Sequence, residues 1–257
     1  MLAWPVDRET LSSCESAALT RNVDLLLRVA PETPLANDRW TAHDVAAHLV
    51  SMVGRYLDAD RKRADSARDV ERINHDEIQE FASATMGELV GRLRARNAKY
   101  AAFWPELPLD AIFPLRGGVP LDVACLRTNW ISELTIHGRD VAQAVGEPWP
   151  LDDTSCLLTL RLLANVLHTY VPAFGQSDYT LTVSPDGGMP FSIVVADDAA
   201  SIRAGAVEGA DKLAGPPAPL VLLFYGRVGL DEAQGDGAWI SGDAERVKRF
   251  VDSMEKP

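Results

Sequence analysis

The sequence predicts an α+β fold, an antiparallel four-helix bundle over residues 1–172 followed by a smaller α+β domain over residues 178–257. Two observations carry this expectation. Through the first 170 residues, polar capping residues repeatedly precede segments with apolar side chains at helical spacing. From Tyr179 onward the period changes, and β-rich runs flank the turn-forming stretch SPDGGMP.

Asp7 is a helix N-cap for a segment running to about Val29, which Pro31 and Pro34 close. Thr41 with Asp44 forms a capping-box signature and opens a helix with Val45, His48, Leu49, Met52 and Tyr56 on one side. Thr85 with Glu88 repeats it ahead of Leu89 and Leu93. Pro120 suits the first turn of a helix over 120–145, ended by Gly146 and Pro148. Another amphipathic helix runs from Asp153 to Tyr170, and short Pro- and Gly-containing links between such helices imply an antiparallel bundle. Beyond it, YTLTV and FSIVV read as strands and SIRAGAV as a further one. Residues 216–228 and 243–253 return to helical spacing.

Composition narrows the function classes. The 257 residues are 47% apolar and 24% charged, as in a soluble globular protein with a substantial core. No apolar run reaches the roughly 18–20 residues of a membrane span, and the N-terminus lacks the pattern of a secretory signal. A net charge of −12 argues against nucleic acid as a partner and against adsorption to an anionic membrane. The one basic cluster, within residues 55–69, is diluted by Asp58, Asp60, Asp65 and Asp69 and reads as a solvated segment. Cys14, Cys125 and Cys156 are widely spaced and without a CxxC pair, which suits free buried thiols in a reducing cytoplasm.

Chemistry concentrates in NWISELTIHGRD, residues 129–140. Along that helix the inward stripe is Val123, Leu126, Trp130, Leu134, His137, Val141 and Ala144, with Glu133 on the adjoining row. Glu133 and His137 stand four apart and share a face, which fits either a half-exposed helix pair or an acid/base pair. If the helix bearing His48 faces them, two imidazoles and one carboxylate become a ligand set for a divalent metal such as zinc, with a fourth position open. Asp44 and Asp140 are each about one turn from a histidine of this set and can orient an imidazole, although Asp44 equally fits the capping box. His43 lies off the face of His48, His75 sits in a polar stretch, and His168 near a helix end suits a cationic cap. Trp40 and Trp130 read as packing residues, and nothing pairs Cys125 with a base.

The elements Trp40-Thr41-x-x-Asp44-x-x-x-His48-Leu49 and Glu133-x-x-x-His137-Gly138-x-Asp140, in this order on helices, resemble the mycothiol-dependent maleylpyruvate isomerase family. The resemblance covers nearly the whole chain and implies a DinB-like bundle with a small α+β C-terminal domain. It implies metal ligation by His48, Glu133 and His137, and through LLFYGR a catalytic arginine at Arg227. It further implies zinc or another divalent metal and mycothiol as cofactors, with a small electrophile as substrate. The implied reaction is cis–trans isomerisation, with S-transfer to another electrophile or metal-dependent hydrolysis as alternatives. A helical protein without catalysis is the remaining class, and the intact His48, Glu133 and His137 set counts against it.

Overall fold

The computed structural model describes residues 5–36, 40–57, 67–114, 119–171, 178–197 and 199–256, so most of the basic cluster lies outside the described residues. Two compact units result, Val6–Pro150 and Leu151–Pro257.

The first unit is helical. Its elements are α1 (Arg8–Leu26), α2 (Ala42–Arg55), α3 (Ala67–Gln79), α4 (Met86–Phe103) and α5 (Val123–Ala144). Asp7 caps α1, and both predicted capping boxes are present, Thr41 with Asp44 on α2 and Thr85 with Glu88 on α4. α2 is buried from Val45 through Val53 because α3, α4 and α5 all pack on it. A helix enclosed this way has no outer face left to water. α1 packs along α5 and touches α4, so α1, α2, α4 and α5 form the bundle and α3 lies against α2.

The start of α5 differs from the expectation. Pro120–Asp122 is a strand, β2, paired antiparallel with β1 (Ile112–Pro114), and α5 begins only at Val123. Asp122 is the cap, and its carboxylate accepts the Cys125 N–H at 2.6 Å. A proline at the first residue of a strand lacks only a donor that the edge does not require. Ala144 is exposed, so the buried stripe of α5 stops at Val141 and Ala142.

Inside the first unit, Arg127 of α5 forms a fork on Glu15 of α1, at 2.9 Å from Nε and 2.5 Å from Nη2. Tyr100 of α4 donates to the same carboxylate at 3.2 Å. The side chains of Arg127 and Glu15 are only 3% and 9% exposed. Burial pushes the Glu15 carboxyl above its ordinary value, against the pull of Arg127.

The second unit opens with α6 (Asp153–Val166), capped by Asp152 and continued by a 3-10 turn over Leu167–Tyr170. Sequence spacing assigned this helix to the bundle with a boundary at 172–178, but the units divide at Pro150 and α6 packs on α7 (Pro217–Phe224). Helical periodicity reports that a face is buried, and not what buries it. α7, with the sequence PAPLVLLF, supplies the apolar surface. β3 (Tyr179–Pro185), β4 (Phe191–Ala196), β5 (Ala199–Ala204), β6 (Asp211–Gly215) and β7 (Trp239–Ser241) form one sheet in the order β5-β4-β3-β6-β7. β3 and β6 are parallel and the other pairs antiparallel. α8 (Leu230–Gly235) packs on α7, and α9 (Ala244–Ser253) covers β6 and β7. Among the described residues, no helix is long and apolar enough to cross a membrane.

Two stability predictions follow from buried charge. Arg127→Met leaves the Glu15 carboxylate without its cation, and urea unfolding should show a loss of about 3–5 kcal/mol, with partial recovery when Glu15→Gln is added. In the second unit the Arg246 guanidinium, bonded to Asp211 at 2.6 and 2.8 Å, holds that carboxyl below its ordinary 3.8. The folded pKa lies below the unfolded one, so this stabilisation is present above about pH 4 and is lost as pH falls. Thermal midpoints measured from pH 6 to pH 3 should fall less steeply for Asp211→Asn than for the wild type.

Candidate metal centre

Local structure aims the three side chains before any tertiary contact is made. The Thr41 hydroxyl and backbone N–H both bond to the Asp44 carboxylate, at 2.9 and 2.8 Å, which fixes where α2 starts. His48 then falls in the buried row with Val45 and Met52. On α5, Glu133 and His137 are one turn apart. α2 and α5 pack side by side, and the three candidate ligand atoms lie within 4.8 Å of one another.

The geometry converges on one oxygen. Glu133 Oε2 is 3.1 Å from His48 Nε2 and 3.3 Å from His137 Nε2. The imidazole rings stand edge to face, with centroids 4.9 Å apart. The side chains of His48, His137 and Glu133 are 3%, 14% and 22% exposed, so the cluster is desolvated without being sealed. Burial pulls His48 down to about 4, more than Glu133 pulls it up, and the imidazole is neutral at physiological pH. Burial raises the Glu133 carboxyl, but hydrogen bonds with His137 and His48 outweigh it and hold the group well below the usual carboxylate range. For His137, burial is overcome by Asp140 and Glu133, and its pKa lies above the ordinary value.

Neutral imidazole nitrogen and ionised carboxylate are the donor forms that divalent first-row metals take. His48 and Glu133 are in these forms, and His137 would release its proton to a bound ion. Pointing at one locus, with part of the carboxylate exposed, the three can hold an ion and leave a position open. The donor set therefore fits a divalent metal.

The structure separates the two aspartates. Asp44 is the capping acid of α2, whereas Asp140 Oδ2 lies 3.6 Å from His137 Nδ1, on the side away from Glu133. Of the remaining histidines, His43 Nε2 is 2.8 Å from the Ala84 carbonyl and His75 is exposed on α3. Burial lowers the pKa of His168, which works against the cationic helix cap expected from its position. Cys14, Cys125 and Cys156 form no disulfide, and burial pushes the Cys156 thiol up to about 12. Arg227 lies in the second unit just after α7, half-buried, its guanidinium donating to the Tyr225 carbonyl at 2.8 Å.

Two supporting features were not expected from the sequence. Trp40, read there as a packing residue, lies against the site, with ring centroids 4.8 Å from His48 and 5.3 Å from His137. It is one residue ahead of the α2 cap, which is the signal that it stands beside that helix's first turns. The second feature is the back of α5. Asn22 of α1 donates to the Leu134 carbonyl at 2.7 Å, and the Trp149 ring packs against Gly138. A Cβ on Gly138 would stand 2.3 Å from Trp149 Cζ2 and 2.8 Å from Asn22 Oδ1.

A helical bundle with a His–Glu–His centre between α2 and α5, followed by a smaller α+β domain, defines the class of protein. The family described as mycothiol maleylpyruvate isomerase N-terminal domain matches residues 13–142, half of the chain, and the chain belongs to that family. The crystal structure of the mycothiol-dependent maleylpyruvate isomerase is similar over 92% of this chain and 93% of that one, with a TM-score of 0.56 at 14% identity. A histidine-to-alanine mutant of that isomerase gives a TM-score of 0.53 at 15% identity over the same shares. At these identities the likeness establishes the fold. No curated protein matches the chain.

The close approach at Gly138 leaves no room for a side chain. Gly138→Ala should force α5 away from Trp149 and lower stability by about 1–3 kcal/mol in denaturant unfolding. The companion variant Gly138→Ala with Trp149→Ala should recover part of that loss, because the nearest clashing ring is gone.

Proposed function

We propose that this chain is a metal- and thiol-dependent enzyme that isomerises a maleylpyruvate-like cis alkene. His48, Glu133 and His137 hold a divalent metal, zinc or a close relative, and mycothiol is the co-substrate. The observation that carries this reading is the convergence of two imidazoles and one carboxylate from two helices on one locus. Family membership supports the choice of thiol and reaction.

When bound, a divalent metal lowers the pKa of a coordinated thiol and supplies thiolate at neutral pH. Reversible thiolate addition to a conjugated cis double bond, rotation about the resulting single bond and loss of the same thiolate yield the trans isomer with the thiol regenerated. The protein's own residues set the conditions. Glu133 stays ionised and provides the anionic ligand. His48 stays neutral at working pH, so in its Nδ1–H tautomer it can present Nε2 as a donor. The Asp140 carboxylate, 3.6 Å from the far nitrogen of His137, electrostatically favours a proton on that nitrogen and so leaves Nε2 as the donor. Trp40 covers both imidazoles with an apolar face and keeps water from one side of the cluster. We assign Arg227 the catalytic role of pairing with a substrate carboxylate or developing enolate, supported by the family resemblance of LLFYGR.

The test begins with metal analysis. The purified protein should carry about one divalent ion per chain, and alanine at His48, Glu133 or His137 should remove most of it while helical circular dichroism persists. Full metal content in the triple variant would refute the ligand assignment. A cobalt-substituted protein should develop a sulfur-to-metal charge-transfer band on adding mycothiol, and turnover of maleylpyruvate should require that thiol. A stable thioether product would indicate S-transfer instead. Thiol-independent ester or amide cleavage, inhibited by mycothiol, would indicate a hydrolase. Arg227→Gln should cut turnover without changing metal content.

A further inference from the structure

One turn before Glu133, on the same side of α5, stands Asn129. Two turns beyond His48, at the C-terminal end of α2, stands Tyr56. The Asn129 carboxamide donates its Nδ2–H to the Tyr56 hydroxyl. The His48–Glu133 contact and the Tyr56–Asn129 contact are thus successive rungs between two antiparallel helices. Tyr56 is buried, and its ring packs against Tyr100, Trp104 and Trp130 at centroid distances of 5.6, 6.4 and 6.5 Å. That packing fixes the hydroxyl, and the hydroxyl fixes the plane of the carboxamide. Asn129 itself is half-buried, and its Oδ1 accepts no hydrogen bond among the described residues.

A rigidly held acceptor with no partner among the described residues, about 6 Å along the helix from Glu133, invites a donor on whatever occupies the metal centre. We propose that Asn129 is a specificity residue for the thiol, its Oδ1 accepting a hydrogen bond from an N–H or O–H group on the thiol's polar arm, with Tyr56 as its positioning residue. This rests on the thiol-dependent reading of the site. The polarity of the contact selects the ligand. A dicarboxylate or keto-acid electrophile presents acceptor oxygens, which Oδ1 repels and which only the second Nδ2–H could serve. A thiol bearing amide, ammonium or hydroxyl groups presents donors. The spacing also fits, since the donor must lie several bonds from the sulfur, as on the arm of a conjugated cysteine derivative.

Isothermal titration of mycothiol into the zinc-loaded protein tests this, with metal content measured for every variant. Asn129→Ala should raise Kd about tenfold, the loss of one hydrogen bond of ~1.4 kcal/mol. Asn129→Asp keeps an acceptor at the same place and should stay within about threefold of wild type. Tyr56→Phe keeps the packed ring but frees the carboxamide, and should show a smaller loss than Asn129→Ala. If wild type binds mycothiol and Asn129→Ala binds it equally well, the role of Asn129 is overturned while the thiol reading stands. An Asn129→Asp loss as large as that of alanine overturns the acceptor assignment. No mycothiol binding by the zinc-loaded wild type overturns both.

Discussion

One carboxylate oxygen sets the relation of two helices. Glu133 Oε2 lies within hydrogen-bond range of imidazoles from both α2 and α5. A carboxylate this poorly hydrated is costly unless it is paired, so any displacement of α2 along α5 would strand it. The partners are themselves anchored, His48 by the Thr41–Asp44 box at the start of α2 and His137 by the glycine contact behind α5. Replacing Gly138 by any larger residue moves the helix that carries two of the three donors. The site's precision is therefore distributed over α1, α2 and α5.

Polar contacts at other levels of the first unit serve the same end. Apolar side chains specify that helices pack but tolerate sliding by a turn, because one leucine row resembles the next. A bidentate pair such as Arg127 with Glu15, joined by Tyr100, has one good geometry and penalises every other register. The Trp130 indole donating to Asn97 at 2.9 Å pins α4 on α5 in the same way. Each of these contacts links residues far apart in the chain, so each discriminates between topologies as well as registers.

That is also why the sequence was partly legible. Capping boxes are local, and those at Thr41 and Thr85 appear where the spacing placed them. The clustering of His48, Glu133 and His137 was legible because residue types able to bind a metal are few and two of them share one helix turn. What failed was long-range. The Pro120 strand exists because Ile112–Pro114 comes back to pair with it, and nothing within residues 120–122 announces that partner. α6 was given to the wrong unit because its apolar face is the same whichever surface covers it. β6, with the sequence DKLAG, becomes a strand through parallel pairing with β3 rather than through propensity. Trp40 was not recognised as lying against the site because its contacts are with two different helices.

The charge of the chain and the charge of the site point in opposite directions, and range decides which governs binding. A net charge of −12 spread over the surface would repel an anionic thiolate or a dicarboxylate at long distance. At physiological ionic strength such surface charges are screened beyond roughly 8 Å. Inside the cluster the balance is local. Once His137 gives up its proton, two imidazoles and one carboxylate would leave a bound divalent ion with one positive charge uncompensated, in surroundings where water is scarce and screening weak. If His48 kept an ordinary pKa it would carry a proton more readily and compete with the metal for its own lone pair. Its burial, which lowers that pKa to about 4, keeps the nitrogen available across the physiological range. The desolvation that makes the cluster expensive to build is thus what suits it to hold a cation and, through that cation, an anion.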